Sequence, residues 1–191
     1  MGRSVRQSDP VDDARAPLRD AVATLRDALP AWAADTARNV EVVLPAPAEL
    51  TPAQHLGTVL VAAVALRAPA LHPLRDAARA ELPRAAAEAA LAAASAMAGN
   101  AVIFRARHFL HGSYDDLRAG LRSSATIAPG WGRLDVELWC CAAAAVLGCQ
   151  ACLEEHEAGA RAAGATRQQV HEALRVAAVV AAAATALDAD A

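Results

Sequence analysis

Apolar positions recur every three to four residues along most of the chain, and the polar, proline and glycine steps between them mark out helices. Leu18, Val22, Leu25 and Leu29 form the first stripe, which Pro30 ends because proline cannot continue a helical hydrogen-bond ladder. A second helix is expected from Trp32 to about Val42, followed by a rigid Leu44-Pro45-Ala46-Pro47 linker. Thr51-Pro52-Ala53-Gln54 reads as a helix start, with Thr51 as N-cap and Pro52 at the first helical position. That helix runs to about Leu66 and breaks at Arg67-Ala68-Pro69. A short helix is expected over Leu71 to Ala80. Pro83 opens a longer one through Ala98, ended by Gly99-Asn100, and another short one covers Val102 to Leu110. His111-Gly112-Ser113 breaks the chain, Tyr114-Asp115-Asp116-Leu117 starts a turn or short helix, and Pro129-Gly130-Trp131-Gly132 is a loop. Asp135 is placed to cap a helix from Val136 to Leu147, which Gly148 ends. Cys149 opens the next helix, to near Ala163, with Gly164 as its C-terminal glycine. Thr166-Arg167-Gln168-Gln169 fits a capping box and starts the last helix, through about Leu187.

Composition agrees with an all-α fold. Alanine, the best helix former, supplies much of the apolar fraction, and its small side chain lets helices approach closely. The 191 residues suit one compact helical domain over 17–189 behind a disordered tail over 1–16 that is polar, charged and proline-bearing. The stretches Gln54 to Arg67 and Glu137 to Cys149 each read as helix, break, helix. The fold therefore accommodates two pseudo-repeated halves, although alanine-rich strings also align by chance. The net charge is −3, every basic residue except histidine is arginine, and no basic stripe stands out, so nothing points to nucleic acid. The N-terminus has no apolar core of a secretory signal, and the run from Val176 to Leu187 is short and mostly alanine. These features predict a soluble, cytoplasmic protein with no membrane span. In a reducing compartment, a close cysteine pair is more often catalytic or metal-binding than a structural staple.

The chemistry concentrates between Glu137 and Glu157. Cys149, Cys152 and His156 are spaced i, i+3, i+7, which puts them along one helical stripe. Cys149 sits at the helix start, where unpaired backbone N–H groups and the helix dipole favour a thiolate. His156, four residues past Cys152, is spaced for a hydrogen bond to the thiols, direct or through water. Glu137 lies on the preceding helix among Leu, Trp, Cys and Ala. A carboxylate against such apolar packing is expected to hold a proton by desolvation and to pass it on near neutral pH. Three readings compete for this set: a redox-active dithiol, a zinc site with Cys149, Cys152, His156 and Glu137 as ligands, and inert buried cysteine. No second ligand pair lies elsewhere to complete a structural zinc site, and inert cysteine leaves the histidine unexplained. A thioredoxin fold is disfavoured because its CxxC follows a strand, whereas this one follows a helix.

A glutamate, a CxxC twelve residues on, and a histidine four residues after the second cysteine form the pattern of a known family. With Glu137, Cys149, Cys152 and His156 in those places, the chain resembles the alkylhydroperoxidase D family, relatives of carboxymuconolactone decarboxylase. Val136-Glu137-Leu138-Trp139, the stretch Tyr114 to Arg122, and His55-Leu56-Gly57-Thr58-Val59-Leu60 extend the likeness over about residues 18 to 187. The resemblance implies a lipoyl-linked thiol peroxidase that reduces organic hydroperoxides in antioxidant defence, with no resident cofactor. It implies Cys152 as the peroxidatic thiol that becomes a sulfenic acid, and Cys149 as the group that resolves it as a Cys149–Cys152 disulfide. His156 and Glu137 become the proton relay. It further implies a reduced lipoyl group, borne by a dihydrolipoamide acyltransferase, as electron donor, a peroxiredoxin subunit as partner, and a homotrimer. Ala151 departs from the pattern, since many members carry a histidine there. Two alternatives stand beside this reading. One is a decarboxylase acting on a carboxymuconolactone-like substrate, whose members generally lack the CxxC. The other is a non-enzymatic helical protein that senses oxidation or binds zinc.

The remaining candidates carry less. Cys140 and Cys141 point about 100° apart on one helix and read as buried filler, although one of them could face Cys149. His55, His72, His108 and His171 read as surface or capping residues, and His111 as part of a loop. Trp139 reads as core. Arg105, Arg107, Arg118 and Arg122 fit either a solvated face or a subunit contact.

Overall fold

In the computed structural model, which describes residues 16–122 and 131–190, the periodic stripes become eight α-helices with no strand among the described residues. They are α1 (Ala16–Asp27), α2 (Ala34–Val43), α3 (Pro52–Leu66), α4 (His72–Glu81), α5 (Arg84–Phe109), α6 (Arg133–Leu147), α7 (Gln150–Ala162) and α8 (Arg167–Asp188). Short 3-10 turns precede α2 and α4. The tail expected over 1–16 lies outside the described residues except for Ala16, which already belongs to α1.

Helix α3 is the axis of the fold. It is buried continuously from Gln54 to Ala63, and α4, α5, α6 and α8 all pack on it. A helix buried on all sides must be apolar all round, and the run Val59 to Ala63 meets that demand. Its start is fixed as the sequence predicts. Thr51 Oγ accepts from the Gln54 N–H, and Gln54 Oε1 accepts from the Thr51 N–H. Gln54 then does more than cap. Its Nε2 donates to Asp135 at 2.7 Å, and its main-chain oxygen accepts from Trp139 Nε1 at 3.0 Å, so the start of α6 is tied to the start of α3. Trp139 is fully buried beside Gly57 and stacks on Trp131 at 6.3 Å between ring centroids. Glu172, on α8, accepts from the N–H groups of Ala48, Glu49 and Leu50, which seats the loop ahead of α3.

Two expectations are corrected. Gly99-Asn100 does not end a helix: α5 runs unbroken through it, from Arg84 to Phe109. A helical glycine costs only about 1 kcal/mol relative to alanine, and alanine-rich turns on both sides outweigh it. Asp135 does not cap α6; Gly132 occupies that position, and the Asp135 carboxylate is taken by Gln54 from another helix. The apolar run after Val176 is part of a 22-residue helix, and α5 and α8 both have the length and composition of a membrane span. Both pack against α3 and α6, and Val176, Ala177, Val180, Ala183 and Ala184 of α8 are buried in the core.

The close approach of Gly57 to Trp139 gives a stability prediction. A Cβ on residue 57 would overlap the indole ring, which is locked by its hydrogen bond to Gln54. Gly57→Ala is expected to destabilise the fold by about 1–3 kcal/mol, the usual cost of overpacking a tight core. Urea unfolding measures it, and an unchanged midpoint would contradict the packing described.

Candidate active site

The site is built on a helical hairpin. Helix α6 ends at Gly148, whose left-handed backbone (φ 65°) is open to glycine without strain. The Cys149 N–H donates back to Ala144 O at 3.1 Å, which closes the helix in the Schellman manner. The chain therefore reverses at once, and α7 packs closely along α6. Residues near the start of α6 are thereby brought opposite residues well along α7.

Cys149 is the N-cap of α7, and its sulfur accepts from the Cys152 N–H at 3.4 Å. Cys149 and Cys152 form a disulfide, with Cα atoms 5.4 Å apart, and both residues are almost wholly buried. The expected alignment of the two sulfurs on the first turn is therefore observed. Spacing along the chain leaves open where Glu137 faces, and the packing of α6 on α7 decides it: Glu137 Oε2 lies 2.8 Å from His156 Nδ1. The setting of Glu137 differs from expectation. Its carboxylate does not face apolar packing alone; Arg133 Nε donates to Oε1 at 3.2 Å from one turn earlier on α6. The side chains of Glu137 and His156 are only 14% and 13% exposed, so this contact is largely shielded from solvent. A carboxylate on Nδ1 holds the proton there in the neutral ring and leaves Nε2 as the basic nitrogen.

Gly159 was not singled out by the sequence. A Cβ there would lie 2.7 Å from the Glu137 carboxyl carbon, so glycine leaves room for the carboxylate to rest on α7. The signal was weak, because a glycine inside a helix also reads as a tolerated defect. Arg133 was visible only as an i, i+4 partner of Glu137.

The other candidates fall outside this set. Cys140 and Cys141 are free, buried thiols. Burial pushes Cys141 up to about 12, and nearby Glu137 and Glu157 add to the effect. Burial, with Glu137 and then Cys141, raises Cys140 further still. His55 is neither surface nor cap: it is 1% exposed, with Nε2 2.9 Å from Leu44 O, and so belongs to the core. His72, His108, His111 and His171 are exposed. Arg105 donates to Leu147 O at the end of α6, and Arg107 donates to Leu117 O, which pins the turn after α5.

Comparison with known proteins bears on the same region. The profile of the Carboxymuconolactone decarboxylase family matches residues 114–191. The chain is 43% identical over 166 residues to "Alkyl hydroperoxide reductase AhpD" of Streptomyces avermitilis, covering 86% of this chain and 93% of that one. It is 41% identical to the protein of that name from Mycolicibacterium paratuberculosis, over 87% of this chain and 94% of the relative. A third, from Anaeromyxobacter dehalogenans, is 43% identical over 88% and 91%.

The burial of the α6 thiols predicts a simple count. In the reduced, folded protein at pH 8, Cys149 and Cys152, at the helix start on either side of exposed Ala151, should react first with a disulfide reagent, and Cys140 and Cys141 only after unfolding, because these two have no exposed surface and are held protonated. Four thiols reacting at similar rates in the native state would contradict the packing of α6.

Proposed function

The chain belongs to the alkyl hydroperoxide reductase AhpD family, and on that premise we propose that Cys149 and Cys152 are the redox centre with which it reduces organic hydroperoxides. It is an oxidoreductase of antioxidant defence. The observation that carries the assignment of residues is the Cys149–Cys152 disulfide on the first turn of α7, one helical turn from a histidine already paired with a carboxylate.

The cycle runs as follows. His156 Nε2, oriented by Glu137, takes the proton of Cys152, directly or through water. The Cys152 thiolate attacks the outer oxygen of the hydroperoxide; the O–O bond breaks, an alcohol leaves, and Cys152 becomes a sulfenic acid. Cys149 attacks that sulfur, water leaves, and the disulfide closes. Two electrons and two protons from a dihydrolipoyl group restore the dithiol. In that reduction, the helix start that stabilises a thiolate on Cys149 makes it a good leaving group.

The finer assignments belong to the same proposal. A lipoyl-bearing dihydrolipoamide acyltransferase supplies electrons, a peroxiredoxin subunit receives them, and the protein works in the cytoplasm as a homotrimer. One helical domain over residues 17–189 carries the activity. The decarboxylase alternative draws on the wider family's description alone, whereas a paired CxxC supports thiol redox chemistry.

Coupled turnover of cumene hydroperoxide with dihydrolipoamide tests the assignment. Cys152→Ser should reduce it to background, and retained turnover would remove Cys152 from the mechanism. Glu137→Gln should lower the rate by about 10-fold or more, within the usual reach of acid–base catalysis, with the fold intact by circular dichroism. An unchanged pH–rate profile in that variant would make Glu137 structural.

A further inference from the structure

A cavity reaches Ala151, the residue beside the buried Cys149–Cys152 disulfide. Phe104, Arg107, His108, His111, Gly112 and Asp115, from the end of α5 and the turn after it, line a cavity of about 580 Å³ together with Ala151 of α7. Ala151 is the exposed residue between Cys149 and Cys152, both of which are buried, so this cavity adjoins the redox pair at the middle of its motif. The motif itself offers no titratable side chain between the sulfurs, since Gln150 and Ala151 fill it. The α5 side of the cavity offers two imidazoles.

We propose that His108 and His111 are proton-transfer groups for the dithiol donor that reduces Cys149–Cys152, and that the cavity they line with Ala151 seats that donor. Small dithiols are mostly protonated at neutral pH, and only the thiolate attacks a disulfide. An imidazole in the cavity takes the proton of the incoming thiol as its sulfur bonds to one sulfur of the pair and the protein S–S bond breaks. The displaced cysteine leaves as a thiolate and receives that proton back from the imidazolium. The donor's second thiol then attacks the mixed disulfide, leaving an oxidised donor and a protein dithiol. Its proton goes to the cysteine sulfur thus released. Imidazole suits this task because its ordinary titration falls in the physiological range.

The charged groups on the same cavity are Arg107 and Asp115. Arg107 is engaged with Leu117 O and lies over the Phe104 ring, 5.9 Å from its centroid, so it braces the α5 wall. The lining fits a partly apolar donor: Phe104 supplies an apolar surface beside the two histidines. The left-handed backbone of His111 and Gly112 (φ 53° and 74°) turns the chain back at the rim of the cavity.

The inference rests on the Cys149–Cys152 pair being redox-active and extends it to the reductive half of the cycle. The test follows the appearance of thiols after oxidised protein is mixed with excess dihydrolipoamide and, in parallel, with dithiothreitol. Wild type, the double variant His108→Gln/His111→Gln, and that variant carrying Ala151→His are compared between pH 5.5 and 9. Circular dichroism and the native thiol count check the fold. The double variant should be reduced at least about 10-fold more slowly at pH 7. Its rate should climb only with the alkaline ionisation of the donor, whereas the wild-type rate should rise at lower pH and level off before the donor ionises. Ala151→His, which restores an imidazole on the cavity lining, should recover much of the lost rate and the levelling. Unchanged rates and profile in the double variant would overturn the proposal, as would a slower rate with a wild-type profile and no rescue. Wild type reduced by dithiothreitol but not by dihydrolipoamide would count against the lipoyl donor, while the dithiothreitol comparison still decides the role of the histidines.

Discussion

The contact between Glu137 and His156 depends on one backbone event, the reversal at Gly148. A left-handed glycine ends α6 and lets α7 start on the next residue. The helix start then falls on Cys149, where the sulfur is itself the cap. The antiparallel return carries His156 back to Glu137, nineteen positions away in sequence and 2.8 Å away in space. A longer link would have separated the helix end that favours a thiolate from the Glu137–His156 pair proposed to move the proton. Gly159 completes the arrangement by leaving the carboxylate room on α7.

The rest of the fold holds that hairpin in place from behind. Gln54 joins the starts of α3 and α6 through Asp135 and Trp139, and buried α3 gives α6 a rigid floor. The tightly packed wall of Trp139, Cys140 and Cys141 faces away from solvent. This division explains how four cysteines lie within thirteen residues and yet differ in chemistry. Two lie inside α6 with no exposed surface and are kept protonated by burial; two, also largely buried, are joined where a helix begins, on either side of Ala151, which lines a cavity.

Most of this was legible in the sequence because it is local. The capping boxes at Thr51 and Thr166, the glycine stop at Gly148 and the closeness of Cys149 to Cys152 all follow from spacing along one helix, and all are observed. The errors came where a local signal met a tertiary partner. Asp135 has the chemistry of a cap, but Gln54 claims it. Gly99 has the look of a stop, but the surrounding alanine turns carry the helix through. His55 reads as surface until α3 is seen to be buried on every side. Periodicity could not place Arg133 on Glu137, or His108 and His111 on one cavity with Ala151, because those juxtapositions depend on how separate elements pack.

The central claim is that oxidant is consumed at the start of α7 and nowhere else in the chain. The most direct measurement is to add one equivalent of hydroperoxide to the fully reduced protein and map the products by peptide mass spectrometry. The account predicts the loss of two thiols per chain and a single Cys149–Cys152 linkage, with Cys140 and Cys141 still reduced. Oxidation of Cys140 or Cys141 ahead of that pair, or four surviving thiols, would contradict it.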